Sequence, residues 1–119
     1  MSERSSHSQP MREPTLLLLA ALADEPRHGY ALLGEVTRIS DGRVRLRAGT
    51  LYGALDRLLA QGLVRVEREE VVDGRARRVY ALTDRGRTDL DAEVRRMETV
   101  AVEARRRMQR TARTLGATG

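Results

Sequence analysis

GTLYGALDRLLAQGLVRVE, residues 49–67, is the stretch on which the fold turns. From Thr50 the apolar residues fall at Leu51, Leu55, Leu58 and Leu59. That i, i+4, i+7, i+8 spacing puts one apolar stripe on a helix of about three turns. The opposite face carries Tyr52, Gly53, Asp56 and Arg57, and Thr50 stands where a side-chain oxygen would cap the first turn. Gly62 follows the last turn as a stop. A helix buried on one face, with a small polar N-terminal edge, suits insertion into a DNA groove. The chain therefore reads as a transcription regulator.

Working outward, LVRVEREEVV and ARRVYALT flank Asp73-Gly74, a two-residue hairpin signal. The hairpin would form a basic wing with Arg75, Arg77 and Arg78 near its tip. Arg77 and Arg78 point to opposite strand faces, which makes Arg75, at the tip, the better minor-groove candidate. Before the recognition helix, Arg43, Arg45 and Arg47 alternate with Val44 and Leu46, as in a short half-buried strand.

The basic residues are all arginine, 22 of them, and they are unevenly placed. Residues 1–42 carry 4 Arg against 6 acids, residues 43–87 carry 11 against 6, and residues 88–119 carry 7 against 5. The surplus lies on the recognition helix and wing, where a phosphate-binding face belongs. At 119 residues the chain is one domain, small for an enzyme with a deep pocket. It has no catalytic triad arrangement, phosphate-cradling Gly loop or paired catalytic carboxylates, so no catalysis and no cofactor are expected. The absence of Cys removes disulfides and thiolate metal sites, and two isolated His make a metal site unexpected. The longest apolar run, Leu16 to Ala23, is too short to span a membrane and lacks the flanks of a signal peptide. A cytoplasmic location without membrane contact follows by elimination.

From the N-terminus, residues 1–10 are polar and Ser-rich and read as a disordered leader. Pro14 opens a helix through TLLLLAALADE that Pro26 ends, apolar nearly all round and so buried. A second helix spans about His28 to Ser40, with Leu32, Leu33, Val36 and Ile39 on one face, and Asp41-Gly42 ends it. Tyr30 reads as core and His28 as a turn or capping residue. From Thr83 a capped helix runs to about Arg113. Leu90, Val94, Met97, Ala101, Ala104 and Met108 form a heptad seam along it. Such a seam on a terminal helix needs a partner, and a second copy of the chain is the natural one.

The expected architecture is mainly α with a small β-hairpin wing. A winged helix-turn-helix occupies residues 11–83, a dimerisation helix residues 84–113, and a disordered tail residues 114–119. MREPTLLLLAALADEPRHGYALLGEV, GTLYGALDRLLAQGLV and RRVYALTDRGRTDL resemble, in order and spacing, the signature of PadR-type transcriptional regulators. The resemblance covers about residues 11–95, and the length is similar to that of the short subfamily with a single C-terminal helix. It implies a homodimeric winged-helix DNA-binding protein, usually a repressor, often controlled by a small molecule near the dimer interface. Two departures stand out. Family members usually carry Pro after the Leu-Tyr pair, where this chain has Gly53. Members that trap flat aromatic drugs place Trp or Phe at the interface, and this chain has neither.

Residue by residue, Arg47, Thr50, Tyr52, Gly53, Arg57, Arg75, Arg77 and Arg78 are the expected contacts to double-stranded DNA. The operator would be an inverted repeat. Any effector would lie between the first and last helices, against Leu16, Leu19, Met97 and Val100. The rival reading is a winged-helix module that binds a protein without touching DNA; the concentration of charge on the wing argues against it.

Overall fold

The computed structural model describes residues 11–118. Helix α1 (Glu13–Ala21) leads into a two-residue strand, β1 (Arg27–His28), and helix α2 (Gly29–Ile39). Helix α3 (Ala48–Ala60) is followed by the strands β2 (Val64–Val72) and β3 (Arg75–Leu82), and α4 (Asp84–Thr118) closes the chain. The strands form one antiparallel sheet in the order β1-β3-β2.

Helix α1 is buried as its composition requires: Leu17, Leu18, Leu19, Ala21 and Leu22 are core residues. It stops at Ala21, before Pro26 is reached. The cause is a tightened last turn, with Leu22 and Ala23 N–H donating to the Leu19 and Ala20 carbonyls. The Arg27 guanidinium then donates to the Ala21 carbonyl at 2.8 Å. Helix α2 buries Leu32 and Val36 and half-buries Leu33, but Ile39 at its end is exposed. The turn after it takes two consecutive positive φ values, at Asp41 and Gly42, the left-handed conformation that Gly and Asp tolerate best.

Residues 43–47 do not form the expected strand. Their half-buried alternation is real, with Val44 and Leu46 packed against the core. They have no strand to pair with, because the edge of β3 away from β2 is taken by Arg27 and His28. The Val44 N–H is satisfied instead by the Ser40 hydroxyl at 3.0 Å.

Leu51, Ala54, Leu55 and Leu58 of α3 face the core. Leu63, Val64, Tyr80, Leu82 and Leu90 close that core from the sheet and the last helix. The wing turns at Asp73 and Gly74, both with positive φ. Val72 pairs with Arg75 across them, as a type I′ hairpin demands. Thr83 caps α4: its hydroxyl accepts from Gly86 N–H at 2.9 Å and donates to the Gly62 carbonyl at 2.6 Å. The helix runs on to Thr118, past the end expected at Arg113 and into the stretch read as a tail. The leader, residues 1–10, lies outside the described residues.

Candidate nucleic-acid interface

Helix α3 begins at Ala48, with Arg47 in an extended conformation at its N-cap and no side-chain capping bond. Thr50 is therefore not the cap. It stands within the first turn, exposed along with Arg47, Ala48 and Gly49. The backbone closes the turn itself, Leu51 N–H donating to the Arg47 carbonyl at 2.9 Å. A small, open N-terminal edge is left facing solvent.

Tyr52, 41% exposed, lays its ring over Gly29 at the start of α2. A Cβ on Gly29 would stand 2.5 Å from the tyrosine oxygen, so a larger residue there would push the Tyr52 ring aside. Gly53 is half-buried and Arg57 exposed one turn further on. Beside this face stands β3. Arg75 is exposed at the tip, Arg77 is partly covered, and Arg78 turns toward Glu69 at 3.8 Å. Tyr30 is not a core residue: it is 68% exposed, with the Arg77 guanidinium 5.5 Å from its ring centroid. Its place on the first turn of α2 points it at the wing instead of at Leu32 and Val36. His28 occupies the N-cap of α2 without capping it; its Nε2 meets Glu70 Oε1 of the wing at 3.1 Å.

Charge pairing separates two sets of arginines. On the wing shaft Arg65 pairs with Glu67 at 3.3 Å and Arg68 with Glu70 at 2.7 Å. That second pair holds the Glu70 carboxyl below its ordinary range. On α4, Arg95, Arg106 and Arg107 pair with Asp91 and Glu103 along the helix. In contrast, Arg45, Arg47, Arg57, Arg75 and Arg77 have no carboxylate within ion-pair distance among the described residues. These five cations lie on the approach to α3, on its outer face and along β3. Arg45 is not among the DNA contacts expected from the sequence; the alternation of residues 43–47, which exposes it, is the signal that marks it.

The seam of α4 divides at its base. Leu90 is buried in the chain's own core, and Glu93 beside it is buried against Arg96. Beyond them Val94, Met97, Val100, Val102 and Met108 are exposed, from 37% to 67%. Ala101 and Ala104 are open as well. Leu90 thus serves the intramolecular core, and the bare seam starts at Val94. Of the residues expected around an effector, Leu19 is wholly inside the core and Leu16 half-buried against it, while Met97 and Val100 are on the bare helix. Leu19 cannot line an open cavity in this arrangement.

This order of elements, with a recognition-type helix, a hairpin wing and a long terminal helix, agrees with the comparison to known proteins. The transcriptional regulator PadR-like family matches residues 18–92. The chain belongs to the PadR-like family of transcriptional regulators. Those proteins regulate transcription and are not enzymes.

A transcriptional regulator of Mycobacterium tuberculosis is 44% identical over 88 residues, 74% of this chain and 78% of that protein. A 37.1 kDa protein in a transposon of Streptomyces fradiae is 45% identical over 82 residues, 69% of this chain but 22% of that longer protein. The PadR-family regulator structure from Eggerthella lenta aligns with TM-score 0.60 at 28% identity, covering 81% of this chain and 80% of that one. Bacillus subtilis PadR, solved in complex with operator DNA, aligns with TM-score 0.63 at 19% identity. That alignment covers 70% of this chain and 48% of the other, and it supports the winged-helix fold. In this PadR-like chain the residue after Leu51-Tyr52 remains glycine, and a Cβ built on Gly53 would meet only Arg57 Nη1, at 3.9 Å. Among the described residues no helix is long and apolar enough to cross a membrane.

Proposed function

We propose that the protein is a homodimeric DNA-binding regulator that represses transcription by occupying an inverted-repeat operator. The observation that carries this reading is the set of arginines without partners, Arg45, Arg47, Arg57, Arg75 and Arg77, beside the open N-terminal edge of α3. On the wing shaft and along much of α4 acids pair with arginines, as at Arg65, Arg68, Arg95, Arg96, Arg106 and Arg107, although Arg85, Arg87, Arg105, Arg110 and Arg113 also have no ion pair among the described residues. Cations left unpaired, with Asp56 as the one carboxylate lining the cleft among them, cost self-repulsion in the free protein and suit a polyanion. In the complex, Thr50, Tyr52, Gly53 and Arg57 face the major groove, while Arg75 and its strand neighbours reach the flanking backbone or minor groove. The bare seam from Val94 to Met108 pairs with that of a second copy. Protein bound over promoter DNA excludes polymerase, which is repression in its simplest form. A small-molecule effector would act by shifting α1 against the paired seams, beside Leu16, Met97 and Val100.

The direct test is a gel shift with DNA from upstream of the protein's own gene. Arg75→Ala should weaken binding to all sequences alike. In a dimer it removes two phosphate contacts, which flattens the logarithmic salt slope by about 2. Arg75 is a cleaner probe than Arg78, which faces Glu69 already. An unchanged slope in the Arg75 variant removes the wing tip from the interface, and no shift with any DNA favours the protein-binding module.

Gly53→Ala separates folding from DNA approach. The added methyl meets nothing closer than 3.9 Å, so the helix should gain about 0.5–1 kcal/mol from the better helix former. Where the Gly53 backbone lies against DNA, the same methyl should lower operator affinity. Higher melting temperature with undiminished affinity would take Gly53 out of the contact surface.

A further inference from the structure

The chain contains three aromatic residues, and all three line one cleft of about 440 Å³. Tyr30 comes from α2, Tyr52 from α3 and Tyr80 from β3. Large rings contribute most when buried, yet Tyr30 and Tyr52 stay 68% and 41% exposed while leucines and valines fill the core. Three kinds of recognition group meet there. Two tyrosine rings are open for stacking, and one already carries a planar cation, Arg77. Arg75 and Arg77 bring guanidiniums without ion-pair partners among the described residues. Asp56 supplies a carboxylate acceptor. Gly29 leaves room for the end of the Tyr52 ring against one wall. Burial pushes the Tyr80 phenol above its ordinary pKa, so it stays an O–H donor.

We propose that this cleft between α3 and the wing binds a mononucleotide. The base stacks on Tyr30 and Tyr52, an exocyclic amine or ribose hydroxyl donates to Asp56, and the phosphate lies against Arg75 and Arg77. Each group thereby meets a chemical complement: π face to π face, acceptor to donor, and guanidinium to phosphate oxygens. Small-molecule pockets run from about 300 to 1,000 Å³, so a cleft this size holds one nucleotide. The carboxylate of Asp56 disfavours a bare anion and favours a ligand that also donates. Because the cleft walls are the groups assigned to DNA above, bound nucleotide and operator should exclude each other. That exclusion rests on the DNA-binding reading; the binding of nucleotide does not.

The chain has no Trp and no fourth Tyr, so ring-labelled tyrosine gives three ring spin systems in the NMR spectrum, all from the cleft. The full-length protein is titrated separately with adenosine monophosphate, cytidine monophosphate, the two nucleosides and inorganic phosphate. Saturable shifts of all three rings are expected with a monophosphate, at concentrations about tenfold below those needed with nucleoside or phosphate. Tyr30→Ala and Arg77→Gln, both outside the core, should each weaken binding about tenfold while leaving the melting temperature unchanged. Phosphate binding as tightly as the monophosphates would reduce the cleft to a plain anion contact and overturn the proposal. Rings unmoved by millimolar monophosphate would overturn it too. In a parallel gel shift, monophosphate should release the DNA. Rings that shift in a protein that binds no DNA leave the cleft assignment intact and remove the DNA-binding reading. DNA that binds while the rings ignore monophosphate does the opposite.

Discussion

Gly86→Ala should cost about 3 kcal/mol or more of stability, lowering the melting temperature by on the order of 15 °C. Gly86 lies in the first turn of α4, buried, where a Cβ would stand 2.0 Å from the Leu63 carbonyl oxygen and 3.0 Å from its carbon. The obstacle is backbone, which cannot swing aside as a side chain can. That same carbonyl accepts the Thr83 N–H at 3.1 Å, and Thr83 caps the helix through Gly86 N–H. Moving Leu63 to admit the methyl therefore breaks the junction that joins α3, β2 and α4. Gly34→Ala is the matched control, because a Cβ on Gly34 meets nothing within 4 Å; it should stabilise by up to about 1 kcal/mol. Thermal melts at equal protein concentration provide the measurement, since a dimer's midpoint depends on concentration. Similar melting of the Gly86 variant and the parent would mean that this junction is looser than described.

Removing α4 beyond Arg96 should leave a folded monomer that has lost about 10²–10⁴-fold in operator affinity. The cut spares Leu90, which belongs to the core, and the buried Glu93 with its partner Arg96. It deletes Met97, Val100, Ala101, Ala104 and Met108, which contact little of their own protomer. If the bare helix is the dimer seam, the two half-sites are then read independently, and the gain from linking them disappears. Sedimentation reports the mass, and gel shifts on whole and half operators report the coupling. A truncated protein that still sediments as a dimer would move the interface elsewhere. A cut before Asp91 would be a poorer test, because it also exposes Leu90 and unfolds part of the core.

Both experiments probe places where sequence and tertiary structure contributed differently. The periodicity at Leu51, Leu55 and Leu58 was sufficient to find α3, because a helix of that length repeats its buried stripe several times. Asp73-Gly74 marked the wing, since few residue pairs accept two positive φ values in succession. Thr83 and the seam likewise marked the start and direction of α4. The basic side of the molecule was legible in the same way, as a surplus of arginine over residues 43–87.

Short elements and long-range neighbours were not. A strand of two residues, Arg27 and His28, has no period to detect, yet it takes the edge of β3 and keeps residues 43–47 out of the sheet. Tyr30 lies on an amphipathic helix but on the turn that faces the wing, so only the placement of β3 shows that Arg77 covers it. Thr50 looks like a cap, and only the path of the backbone through Arg47 shows that the helix has already begun. Leu19 and Leu90 look like interface residues until the core is assembled around them. By itself the sequence determined the helices, the hairpin and the charge of one face, because each is written in near neighbours. Which arginines remain without partners, which leucines are spent on the core, and that three tyrosines share a cleft were decided by tertiary structure. Those facts depend on contacts between segments far apart in the chain, and local periodicity carries no record of them.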